Sequence, residues 1–129
     1  MTHRLLATDP DPVLLELYMM YFGNFDVEVA AAGDAVECVN LLDEFAPDVL
    51  VLSRELRWGG ADGVIAILAE QRDVRPMPVI LTCGALDWPK ADNCLVPPVV
   101  NLLQKPFHLY ELRMAVEEAL HTPLGRFIA

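Results

Sequence analysis

Short aliphatic runs alternate along the chain with longer stretches of helical character. Leu5-Leu6-Ala7-Thr8 reads as a buried strand that stops at Asp9. Asp11-Pro12 then joins a side chain suited to capping a helix with proline at the first helical position, where its missing N–H costs nothing. That helix is predicted to end near Phe22, at Gly23-Asn24. Val27-Glu28-Val29-Ala30 alternates as a second strand. Gly33-Asp34 caps a second helix of about residues 35–45, which Ala46-Pro47 ends. Val49-Leu50-Val51-Leu52 is unbroken, as expected of a central strand buried on both faces. A glycine-rich loop over residues 58–63 leads to a helix of about residues 64–72. Pro78-Val79-Ile80-Leu81-Thr82 makes a fourth strand, and residues 99–103 make a fifth that ends at Lys105-Pro106. The last helix spans about residues 109–120.

Strands interleaved with helices predict one α/β domain with a five-stranded, doubly wound parallel sheet. The domain is expected over residues 1–121, with a C-terminal tail over 122–129. Residues 87–98 are the exception, because Pro89, Pro97 and Pro98 fall where a helix should lie. Each proline inside a helix costs about 3 kcal/mol, so only a short helix near residues 90–95 is expected on an irregular face.

Composition narrows the function. Apolar residues make up 54% of the chain but are dispersed, with no run near the roughly 18–20 needed to span a membrane. The apolar run after His3-Arg4 is too short for a signal peptide, so a soluble, cytoplasmic protein is expected, with no membrane partner. A net charge of −10 repels polyanions and argues against nucleic acid as a partner. Cys38, Cys83 and Cys94 have no CxxC spacing, and His3, His108 and His121 have no ligand spacing. A disulfide framework, a structural zinc site and a metal cluster are therefore not expected.

In doubly wound sheets, sites gather at the carboxyl ends of the strands. Those ends read Asp9, Ser53, Thr82 and Lys105-Pro106-Phe107. With Leu5 through Pro12, Pro47 through Ser53, Asp62-Gly63 and Pro78 through Thr82, their order and spacing resemble the receiver domains of two-component response regulators over about residues 3–121. The resemblance implies a flavodoxin-like fold with two adjacent acids after the first strand that hold Mg²⁺. It further implies a phosphoaccepting aspartate after the third strand, a Thr or Ser after the fourth and a Lys-Pro after the fifth. It also implies a cis Lys105-Pro106 bond and partners among signalling proteins, such as a histidine kinase or an output protein.

The chain matches that pattern at Asp9, Lys105 and Thr82, with Cys83 as the alternative if the strand register slips by one. It departs at Ser53, where the acceptor aspartate should stand, and at Pro10, where the second acid should stand. A carboxylate is an anionic nucleophile at neutral pH, whereas a serine hydroxyl needs an adjacent base. A carboxylate about 4 Å from a divalent ion gains roughly 8 kcal/mol at an effective dielectric of 20, before desolvation. Losing two of three such groups removes most of the drive to bind Mg²⁺, and Asp11 is needed as the helix cap. No cofactor and no catalytic residue are therefore expected. Asp9, Pro10, Asp11, Ser53, Thr82 and Lys105 are read as a vestigial phosphoacceptor pocket, with a Lys105–Asp9 ion pair fixing it. The Trp58-to-Gly63 stretch lacks the spacing of a phosphate cradle and reads as a turn.

The first helix carries a further signal. With Leu14, Leu17, Tyr18 and Tyr21 as its core face, Leu15, Met19 and Met20 fall on the opposite face around Glu16. Either the last helix or the 124–128 tail covers that face, or it is an interaction surface, including one for a homodimer. The reading is a phosphorylation-independent protein-interaction module that is not an enzyme. Two alternatives stand beside it: an active phosphoacceptor that uses a non-standard acid such as Glu55 or Asp11, and a small nucleotide-binding enzyme of similar topology. The stretch holds no DNA-binding output domain, and whether it is a whole protein or a piece of a longer one stays open.

Overall fold

The computed structural model describes residues 2–57, 60–70, 77–84 and 97–126. The elements are β1 (His3–Thr8), α1 (Pro12–Phe22), β2 (Val27–Ala32), α2 (Ala35–Glu44), β3 (Val49–Ser53), α3 (Gly60–Glu70), β4 (Val79–Cys83), β5 (Val99–Gln104) and α4 (Leu109–Leu120). The five strands form one sheet in the order β2-β1-β3-β4-β5, and every pairing is parallel. This is the flavodoxin-like receiver fold.

The unbroken aliphatic run of β3 is buried at every position because apolar layers cover both faces. On one face Leu5, Ala7, Val49, Val51 and Ile80 pack with Tyr18 and Phe22 of α1 and Leu112, Ala115 and Val116 of α4. On the other, Leu6, Leu50, Leu52, Val79 and Leu81 pack with Ala35 and Cys38 of α2 and Ala61 and Val64 of α3. The strand period of two therefore sends alternate residues into two separate cores.

Asp11 caps α1 by accepting the Val13 N–H at 2.9 Å, and Asp34 caps α2 by accepting the Glu37 N–H at 2.8 Å. Three expectations need correcting. First, α3 starts at Gly60, so Gly63 lies within the helix instead of the loop. The turn is taken earlier, by Gly60 at φ +66°, a left-handed conformation that favours glycine. Starting there buries Ala61 and Val64 and seats Ile65 and Leu68 against the same core. Second, α1 is rotated from the expected phase. Leu15 packs against the core instead of facing outward, and Leu17, expected inside, is 45% exposed. Met19 and Met20 are exposed, Met20 at 66%. Third, β4 is shifted by one residue from the expected span, running from Val79 to Cys83, and β5 runs one residue longer than expected, to Gln104. The short helix expected near residues 90–95 falls outside the described residues, as do Cys94 and Trp58-Gly59.

Part of the tail folds back. Leu124 enters the α1–α4 core, the Asp26 N–H donates to the Gly125 carbonyl, and Arg126 bridges Phe25. Residues 127–129 lie outside the description. Among the described residues, no helix is long and apolar enough to cross a membrane.

Candidate functional site

Four strand ends build the site. Ser53 is the last residue of β3, and in the β3–β4 register its partner is Thr82. Both continue the alternation of Val49, Val51 and Ile80, so they lie on the α1–α4 side of the sheet. Thr82, not Cys83, is thus the residue beside Ser53. Both hydroxyl residues are fully buried, and so is Asp9 just beyond β1.

The backbone of Ser53 is held by a hydroxyl stitch. Its N–H donates to Thr8 Oγ1 at 3.0 Å, and that hydroxyl donates to the Val51 carbonyl at 3.0 Å. Lys105 enters from the end of β5, where its N–H donates to the Cys83 carbonyl at 2.7 Å. The Lys105-Pro106 bond is cis, as the resemblance implies.

Lys105 Nζ forms an ion pair with Asp9 Oδ2 at 2.5 Å. The Asp9 side chain is only 2% exposed, and its other oxygen accepts the Asp11 N–H at 2.9 Å. A carboxylate so enclosed needs these partners, because an unpaired buried charge is costly. Lys105 also reaches Ser53 Oγ at 3.4 Å and Glu55 Oε1 at 3.5 Å. Asp9, Ser53, Thr82 and Lys105 therefore come together. Pro10 adjoins them, and Asp11 is turned away to its cap. Leu15, Met19 and Met20 lie on α1.

Glu55 is a full member of the cluster, although the sequence offered it only as a non-standard acid. It stands two residues past β3, and its Oε1 accepts the Gly84 N–H at 2.9 Å. Ser53 Oγ donates to Glu55 Oε2 at 3.5 Å and accepts the Glu55 N–H at 3.3 Å. Tyr18 was also missed as a neighbour of the site. Burial first, then the negative charges of Asp9 and Glu55, push its hydroxyl above the ordinary tyrosine range. Neither the Tyr18 hydroxyl nor Thr82 Oγ1 has a hydrogen-bond partner among the described residues.

The chemistry open to this arrangement is narrow. A serine nucleophile needs a base, and the two nearest carboxylates are weak bases held by Lys105. Mg²⁺ needs oxygen donors in near-octahedral order. Both Asp9 oxygens are engaged, Pro10 brings no side-chain oxygen, Asp11 holds the Val13 N–H, and Glu55 faces Lys105 and Gly84. Among the described residues, no group of three or more His, Cys, Asp or Glu could hold a metal ion. The donor set does not fit the ion.

No protein-family model matches the chain. The transcriptional regulatory protein AruR of Pseudomonas aeruginosa is 34% identical over 128 residues, covering 84% of this chain and 52% of that protein. The chain thus spans about half the length of this curated relative. Among solved structures, a signal receiver domain from Vibrio parahaemolyticus superposes with a TM-score of 0.84 at 19% identity, covering 94% of this chain and 92% of that one. The receiver domain of the Francisella response regulator 1452 gives 0.83 at 21% identity, covering 93% and 98%. A response regulator receiver domain protein from Clostridium thermocellum gives 0.81 at 18% identity, covering 92% and 94%. The chain thus has the fold of response-regulator receiver domains, and its sequence is similar to that of a transcriptional regulatory protein.

Proposed function

We propose that this domain signals by protein contact, without accepting a phosphoryl group. The observation that carries this reading is the pairing of Asp9 with Lys105 beside a buried Ser53 hydroxyl. The anion that would attack phosphorus is replaced by an alcohol, and the remaining carboxylate is already neutralised. Pro10 supplies no side-chain oxygen toward a divalent cation. Asp9, Pro10, Asp11, Ser53, Thr82 and Lys105 thus form a vestigial pocket whose role is structural.

Contact with other signalling proteins, a histidine kinase or an output protein among them, is assigned to the outer side of α1. There Val13, Leu17, Met19 and Met20 are exposed. Methionine and leucine side chains adapt to a partner surface, and an apolar patch of this kind favours association. Homodimerisation through this face is one form of the same contact. A cytoplasmic location goes with the reading, since Cys38 is a buried, unpaired thiol.

The test is incubation with Mg²⁺ and acetyl phosphate, followed by intact-mass spectrometry. An unchanged mass is expected. Acid-labile phosphoryl incorporation would overturn the proposal, and mapping it to Glu55 or Asp11 would establish the non-standard acceptor instead. A melting temperature unmoved by nucleotides is expected as well, and a clear rise would favour the nucleotide-binding alternative.

A further inference from the structure

We propose that Glu55 is a built-in anionic latch that ties the ends of β3, β4 and β5 into one arrangement. The inference rests on the proposed phosphoryl-independent reading and says how the pocket is held without an added group. Its carboxylate gathers donors from three strand ends: Ser53 Oγ of β3 at 3.5 Å, the Gly84 N–H after β4 at 2.9 Å and Lys105 Nζ after β5 at 3.5 Å. Two of these donors are better served by an anion than by a neutral acceptor, because charge-assisted hydrogen bonds are roughly twice as strong.

A separate observation concerns Gly84. A Cβ built there would come within 3.2 Å of Glu55 Oε1, so the close seating of the carboxylate uses the space left by a glycine. Lys105 meanwhile divides its charge between two carboxylates. Asp9 is held deep, and Glu55, with its side chain 32% exposed, lies at the rim. Removing Glu55 leaves Asp9 and Lys105 paired but leaves the Gly84 N–H without its acceptor. The β4 end then loses one of its links to the β3 loop.

Two backbone bonds report the consequence, and neither includes Glu55. The Arg54 N–H donates to the Thr82 carbonyl at 2.8 Å across β3–β4, and the Lys105 N–H donates to the Cys83 carbonyl at 2.7 Å across β4–β5. A contact of only local worth would expose Gly84 alone. A latch would loosen all three.

The experiment is amide hydrogen exchange by NMR on the whole chain, comparing wild type, Glu55→Ala, Glu55→Gln and Glu55→Ala/Lys105→Met. In Glu55→Ala, exchange at Gly84, Arg54 and Lys105 is expected to rise about tenfold or more while β1 amides hold. Glu55→Gln should fall between this variant and wild type. Acetate at constant ionic strength should restore protection in Glu55→Ala but not in the double variant. The latch is overturned if Arg54 and Lys105 keep wild-type protection in both single variants, or if acetate protects the double variant equally. Should Glu55→Ala fail to fold, Glu55→Gln carries the same comparison. These readouts use no phosphoryl donor, so labelling of the wild type would sink the proposed function while leaving this result to stand or fall by itself.

Discussion

Asp9, Ser53, Glu55 and Lys105 satisfy one another at the carboxyl end of the sheet, whereas Val13, Leu17, Met19 and Met20 on the outer side of α1 face solvent. The first region holds the groups from which chemistry could be made, yet each is engaged internally. The second holds no chemistry but offers the adaptable apolar area that association uses. On the proposed reading, function does not sit at those strand ends, and the exposed outer side of α1 is the surface offered to a partner.

The contrast is sharpest within α1 itself. Phe22 is fully buried in the α1–α4 core, while Met20 is 66% exposed. Phe22→Ala should cost about 3–5 kcal/mol in urea unfolding, through lost burial and the cavity left behind. Met20→Ser should stay within about 0.5 kcal/mol of wild type, yet weaken self-association or partner binding. A large destabilisation by Met20→Ser would mean that this face belongs to the core.

The polar end gives the next largest effect. Lys105→Ala leaves the enclosed Asp9 carboxylate without its counter-ion and takes a second partner from Glu55. A loss of about 2–3 kcal/mol is expected, below the full range for buried pairs because the Lys105 side chain is 23% exposed. A neutral result would show that the pocket is not held by charge. Asp11→Ala removes the cap on the Val13 N–H and should cost about 1 kcal/mol.

What the sequence made legible follows from where its signals were redundant. The Val49–Leu52 run, the Asp11-Pro12 start and the Lys105-Pro106 stop each combined hydrophobic pattern with capping or turn chemistry, and those elements stand where they were expected. The phase of α1 was not legible because Leu, Met and Tyr surround the helix and only Glu16 marks a polar side. The early start of α3 was hidden because Gly60 and Gly63 both look like turn residues, and only one takes a left-handed φ. Glu55 had no signal beyond lying two residues past a strand. Its place follows from the β3 loop bending over β4, which no local pattern encodes. Thr82 over Cys83 was settled by register alone.

A smaller effect tests the burial behind both cores. Burial pushes the Cys38 thiol from an ordinary value near 9.0 up to about 12. The folded state therefore holds this proton more tightly than the unfolded chain does. Its contribution is complete below about pH 9 and is lost as pH rises toward 12. Urea midpoints should fall over that window, and Cys38→Ala should flatten part of the slope. Tyr18→Phe should likewise change stability by less than about 1 kcal/mol, because the hydroxyl it removes makes no hydrogen bond among the described residues.

The most direct measurement follows the amide resonances of Ser53, Glu55, Gly84 and Lys105 while Mg²⁺ and the phosphoryl analogue beryllofluoride are added together. These signals are expected to stay in place. A second set of peaks appearing at those residues and growing with added analogue would contradict it, since the pocket would then accept both the cation and the phosphoryl mimic.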